Sequence, residues 1–108
     1  MSWKNLYNDY IVPTTSEVQY TPVVDLSSIR EVMVALYYSQ GGSLRQTIIF
    51  PAAAVTGAFA YADFYFVGSR LYCSVYGSSG KIKIGGGSSG SIVWGSGSGQ
   101  CNLKLYYR

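Results

Sequence analysis

From Glu31 to Arg108 the chain consists of short runs of alternating apolar and polar residues, each broken off by glycine, serine or proline. A period of two places successive side chains on opposite faces of an extended strand, whereas an amphipathic helix needs apolar residues three and four apart. Arg70 to Tyr76 shows the pattern cleanly: Leu71, Cys73 and Val75 share one face, and Tyr72, Ser74 and Tyr76 take the other. Cys101 to Arg108 repeats it, with Cys101, Leu103, Leu105 and Tyr107 opposed to Asn102, Lys104, Tyr106 and Arg108. Glu31 to Ser39 is apolar on both faces, which predicts a central strand.

Turn residues order these strands. Gln40-Gly41-Gly42-Ser43 predicts a hairpin loop leading into Leu44 to Phe50, whose ladder Pro51 ends. Tyr61 to Val67 and Arg70 to Tyr76 form a second hairpin about Gly68-Ser69. Between them, Pro51 to Phe59 has room for one helical turn. In the last third, Lys81 to Ile84 and Ser91 to Trp94 read as brief strands, and Gly85 to Gly90 and Gly95 to Gly99 as flexible loops. Residues 1–22 lack a sustained period, carry Pro13 and Pro22, and read as an extended arm with one short strand, Glu17 to Tyr20. The expected architecture is therefore all-β: an antiparallel, jelly-roll-like β-sandwich of about seven short strands over residues 23–108, preceded by that arm.

The chemistry available to such a domain is narrow. The chain has no histidine, which removes the commonest general base and metal ligand, together with the Ser-His-Asp and Cys-His nucleophile systems. Its five carboxylates, Asp9, Glu17, Asp25, Glu31 and Asp63, form no close pair in sequence. Gly85-Gly86-Gly87-Ser88-Ser89-Gly90 lacks the Gly-Lys-Ser/Thr ending and the following helix of a phosphate loop. No enzymatic activity, cofactor or metal is expected. Cys73 and Cys101 match no zinc spacing, and cytoplasmic synthesis favours two buried thiols over a bridge.

Surface chemistry points to contact rather than catalysis. Only 12% of residues are charged, against about 25% in an average domain, so self-repulsion is weak and a homo-oligomer or larger assembly is favoured. The formal charge of +3 is dispersed, with Lys81 and Lys83 the nearest approach to a cluster, and nucleic acid is not an expected partner. No apolar segment is long enough to span a membrane, and Met1 to Tyr10 lacks the apolar core of a signal peptide. Eleven tyrosines remain to be placed. Strands favour tyrosine for cross-strand packing, and tyrosine equally suits protein interfaces and sugar stacking, so the group reads either way. The candidate partner or glycan contacts are Tyr72, Tyr76, Trp94 and Tyr106, with Tyr72, Tyr76 and Trp94 the favoured surface anchors.

The segment Val24-Asp25-Leu26-Ser27-Ser28-Ile29-Arg30-Glu31-Val32-Met33-Val34 resembles small distal domains of bacteriophage tail-fibre and minor structural proteins, where a polar arm leads through Asp-Leu-Ser into a strand. The hairpin ending in Thr47-Ile48-Ile49-Phe50-Pro51 and the closing strand Leu103-Lys104-Leu105-Tyr106-Tyr107-Arg108 fit the same pattern. The resemblance implies a β-sandwich located in a virion, often trimeric, contacting other virion proteins or a host-surface glycan. It carries over no binding residue, and it departs from those domains in starting at Met1 rather than ending a long chain. The alternative from the residues alone is a free-standing carbohydrate-binding module or lectin; a small enzyme or inhibitor is a distant third.

Overall fold

The alternating runs build two four-stranded antiparallel sheets packed face to face in the computed structural model, which describes residues 2–108. In chain order the elements are β1 (Lys4–Asn5), β2 (Val18–Tyr20), a 3-10 turn (Leu26–Ser28), β3 (Glu31–Tyr38), β4 (Ser43–Pro51), α1 (Ala52–Gly57), β5 (Ala60–Phe66), β6 (Ser69–Ser78), β7 (Lys81–Ser89) and β8 (Cys101–Tyr107). Sheet A has the order β1-β8-β3-β4, and sheet B the order β2-β7-β6-β5. The expected all-β sandwich is present, with eight strands rather than about seven.

Its interior is made by the faces that the alternation singled out. Val32, Val34, Leu36, Leu103 and Leu105 from sheet A meet Ala62, Phe64, Leu71, Cys73, Val75, Ile82 and Ile84 from sheet B, all buried. Val55 of α1 closes one end of this layer. Both cysteines are buried free thiols, in line with the reading made from composition.

Three sequence expectations change. Gly85 to Gly90 is not a loop through its length, because β7 runs on to Ser89 and pairs with β6 as far as Arg70. Glycine erases the period of two without erasing the strand. The reason for glycine is local: a Cβ on Gly87 would lie 2.7 Å from the Tyr72 hydroxyl oxygen, so the Tyr72 ring lies across the bare backbone there. Ser91 to Trp94 is not a strand but a loop, bridged once at Trp94 to Cys101. The second hairpin turns at Val67-Gly68, one residue earlier than expected, since Phe66 pairs with Ser69.

The N-terminal segment is extended but not separate from the sandwich. β1 pairs with β8; Leu6 N–H then donates to Leu105 O at 2.9 Å, and Ile11 exchanges two 2.8 Å bonds with Leu103. The chain next crosses to sheet B, where Gly86 N–H donates to Thr14 O at 2.8 Å and β2 pairs with β7. Leu6 and Ile11 are fully buried in the common core. Ile11→Ala is expected to destabilise the whole domain by about 3 kcal/mol, read as a lower urea midpoint in one cooperative transition. A change under about 0.5 kcal/mol, the usual size for surface substitutions, would show the arm to be peripheral.

The Val67-Gly68 turn has φ of 49° and 72°, left-handed at both positions. Glycine adopts this freely, but a β-branched side chain does not. Asparagine tolerates it far better, so Val67→Asn should stabilise by about 1 kcal/mol. Thermal denaturation tests this, and a lower midpoint would contradict it.

Candidate binding surface

Outward-facing residues fall on two separate surfaces, one per sheet. On sheet B, β6 directs Arg70, Tyr72, Ser74 and Tyr76 away from the core, and β5 adds Tyr61, Asp63 and Tyr65 beside them. Two clusters form. At one end Tyr76 stacks on Phe59 with ring centroids 4.5 Å apart, and Tyr61 tilts toward Phe59 at 6.4 Å. At the other, the Arg70 guanidinium lies 4.3 Å from the centre of the Tyr72 ring and holds both Asp63 carboxylate oxygens, at 2.7 and 3.1 Å. That fork fixes the guanidinium plane over the ring and leaves no net charge between the pair. Tyr72 and Tyr76 share one face of β6 about 13 Å apart, four residues at the rise of a strand.

Sheet A carries Tyr106. Its hydroxyl lies 2.8 Å from that of Tyr37, and Tyr10 from the arm meets Tyr37 edge-on at 5.6 Å. Lys104 Nζ lies 5.1 Å from the Tyr10 ring and 5.9 Å from that of Tyr106. Partial burial and the Tyr37 hydroxyl raise the Tyr106 phenol well above its ordinary value. Tyr106 is therefore on the opposite side of the molecule from Tyr72 and Tyr76.

Trp94 belongs to neither surface. It is half-buried against the core, and its indole N–H donates to Gly87 O at 2.8 Å, with Tyr72 O at 3.3 Å. The ring pins the 90–100 loop across the end of β7, helped by Ser69, whose buried hydroxyl accepts from Ile92 N–H at 2.9 Å. Of the sequence candidates, then, only Tyr72 and Tyr76 lie together.

The structure adds Phe59, Tyr61 and Tyr65, exposed by 52%, 70% and 69%. Alternation of Tyr61, Asp63 and Tyr65 against Ala62 and Phe64 carried the signal for two of them. Phe59 gave none, because its place depends on how α1 returns the chain to sheet B.

Three of the five carboxylates are already engaged. Asp63 and Glu31 are tied to Arg70 and Arg108, and Asp25 accepts from Ser27 N–H at the start of the 3-10 turn. Among the described residues, no group of three or more His, Cys, Asp or Glu could hold a metal. No family model matches the chain, and no curated protein or solved structure matches it either. The fibre-domain resemblance rests on the quoted motifs alone.

Burial pushes the Cys73 thiol from its ordinary 9.0 up to about 12 and raises Cys101 in the same direction. Over that interval the unfolded chain releases protons that the folded chain keeps, so stability falls as pH rises. Raised phenols at Tyr20 and Tyr106 act the same way at higher pH. Urea midpoints should therefore decline from about pH 9 upward, and Cys73→Ala should lower the whole curve while flattening the start of that decline. Retention of the full slope in the variant would remove Cys73 as its source.

Proposed function

We propose that this chain is a non-enzymatic structural or adhesion domain of a virion, of the tail-fibre or tail-tip kind, acting in assembly or in attachment to a host surface. The observation that carries the proposal is the outer face of sheet B. A stacked Phe59–Tyr76 pair, with Tyr61 beside it and the Arg70–Tyr72 stack further along, forms a rigid aromatic surface outside the core. Rings of this kind supply contact area at low entropic cost, and their hydroxyls accept and donate hydrogen bonds at the rim. The scarcity of free carboxylates and the absence of histidine support binding over catalysis.

A second reading, a free-standing carbohydrate-binding module, is favoured by the same Phe59–Tyr76 platform, since its flat rings suit stacking on a sugar. The two differ in where the protein resides. Mass spectrometry of purified particles from the encoding phage should detect the chain as a stoichiometric component. Its absence from particles, together with glycan-array binding by the free protein, would replace the virion reading with the lectin one.

Replacing Tyr72 and Tyr76 together by serine should lower glycan or particle binding at least about tenfold, an effect of 1.4 kcal/mol or more. Trp94→Phe should instead cost about 1 kcal/mol of stability, by removing the indole N–H bond to the Gly87 carbonyl that anchors the 90–100 loop, and leave binding intact. The reverse pattern would move the contact surface to the loop.

A further inference from the structure

The edge of a β-sheet presents unpaired N–H and C=O groups, and soluble proteins blunt such edges by shortness, bulges, proline or charge. Three of the four edges here are blunted. β1 is two residues long and β2 three. β4 carries a bulge opposite Leu36 and Tyr37, which turns Arg45 out over the Tyr38 and Phe66 rings, and it ends in Pro51.

β5 is the exception. Its seven residues, Ala-Tyr-Ala-Asp-Phe-Tyr-Phe, pair with β6 without a register shift and contain no lysine, arginine or proline. The two-residue turn makes Phe66 and Ser69 a hydrogen-bonded pair, so Ala60, Ala62, Phe64 and Phe66 bond toward β6. Tyr61, Asp63 and Tyr65 consequently aim their backbone groups outward. Gln46 Nε2 from β4 donates to the Tyr65 carbonyl at 2.7 Å, which agrees with this assignment and covers the β6-turn end of the edge. The remaining stretch about Tyr61 and Asp63 is open, and the Asp63 charge is neutralised by Arg70 of the same sheet.

We propose that two copies of this chain join antiparallel through β5 about a two-fold axis, merging two four-stranded sheets B into one eight-stranded sheet. A copy fits because the edge is self-complementary in one register. With the axis at Ala62, Tyr61 of each copy pairs with Asp63 of the partner subunit, and the Tyr65 carbonyl stays with Gln46. The same register sets Phe59 against Tyr65 of the partner subunit, so the exposed aromatics at both ends of β5 cover each other. An axis at Asp63 would instead place two carboxylates directly opposite, which is unfavourable. The dimer does not depend on the virion or glycan reading, whose test uses Tyr72 and Tyr76.

Sedimentation velocity on the full chain across a concentration series tests the interface. The expected result is a concentration-dependent shift from 11.8 kDa to twice that mass. The Tyr61→Lys, Tyr65→Lys double variant should remain monomeric with an unchanged melting midpoint, while Ile49→Lys on β4 should still dimerise. Hydrogen exchange on the unmodified chain gives a second measure that needs no variant: the Tyr61 and Asp63 amides should gain protection as concentration rises. A monomer at every concentration, a trimer, or a dimer indifferent to the double variant would each overturn the proposal. So would Tyr61 and Asp63 amides that gain protection only when a foreign extended peptide is added.

Discussion

One stretch of chain closes both sheets on the same side of the molecule. Residues 4–11 run beside β8, and residues 14–20 run beside β7, so the crossing between them ties the two layers together. Leu6 and Ile11, bonded to β8 on the near side of that crossing, are buried in the core the two sheets share. The rest of the architecture follows from this closure. With β8 and β7 covered, the edges left open lie on the far side, at β4 and β5. Among the described residues, six of the nine large apolar side chains left exposed fall between Leu44 and Val67, on that far side. The molecule has a sealed flank and an open, apolar one, and the sealed flank is what gives the other its position.

A second dependence links the glycine-rich strand to the aromatic surface. β7 can be bare at Gly87 because Tyr72 lies across it, and Tyr72 is held flat by Arg70, which Asp63 orients. Beneath the same spot, Trp94 takes the Gly87 carbonyl and anchors the following loop. Composition that looks like a linker is thus a packed strand, with the missing side chains replaced by rings from the neighbouring strand and loop. Tyr72 is at once a stabiliser of β7 and a member of the exposed surface.

Much of the fold was legible because burial leaves a period in sequence. β6 alternates without interruption, and β8 does so except at Asn102, which is buried on the face the alternation assigns outward, its Nδ2 donating to Gly95 O at 3.1 Å. The buried state of the two thiols followed from the same faces. What escaped had weak or contrary local signals. β2 stands where a short strand was expected, but β1 is too short to show a period, and the pairing of both depends on residues far along the chain. Through Gly85-Gly86-Gly87 the period vanishes with the side chains. The hairpin turn was displaced by one residue because Val67 occupies a left-handed position that its type disfavours. The grouping of tyrosines could not be read either, since alternation tells inside from outside but not one sheet from the other; Tyr106 and Tyr76 look equivalent in sequence and face opposite ways.

β8 lies between β1 and β3 in sheet A, yet it is synthesised after every strand it joins. Until it emerges, the β3–β4 hairpin has one long edge unpaired and residues 4–11 lack their sheet partner. Sheet B can assemble earlier through its consecutive β5–β6–β7 hairpins, which are local in sequence. The order of synthesis therefore separates the two layers in time, with the sheet B meander as a nucleus and sheet A completed last by a contact between distant chain segments. During that delay a β8 strand from a neighbouring nascent chain could fill the gap as well as the chain's own, so crowding on a polysome would favour exchanged strands.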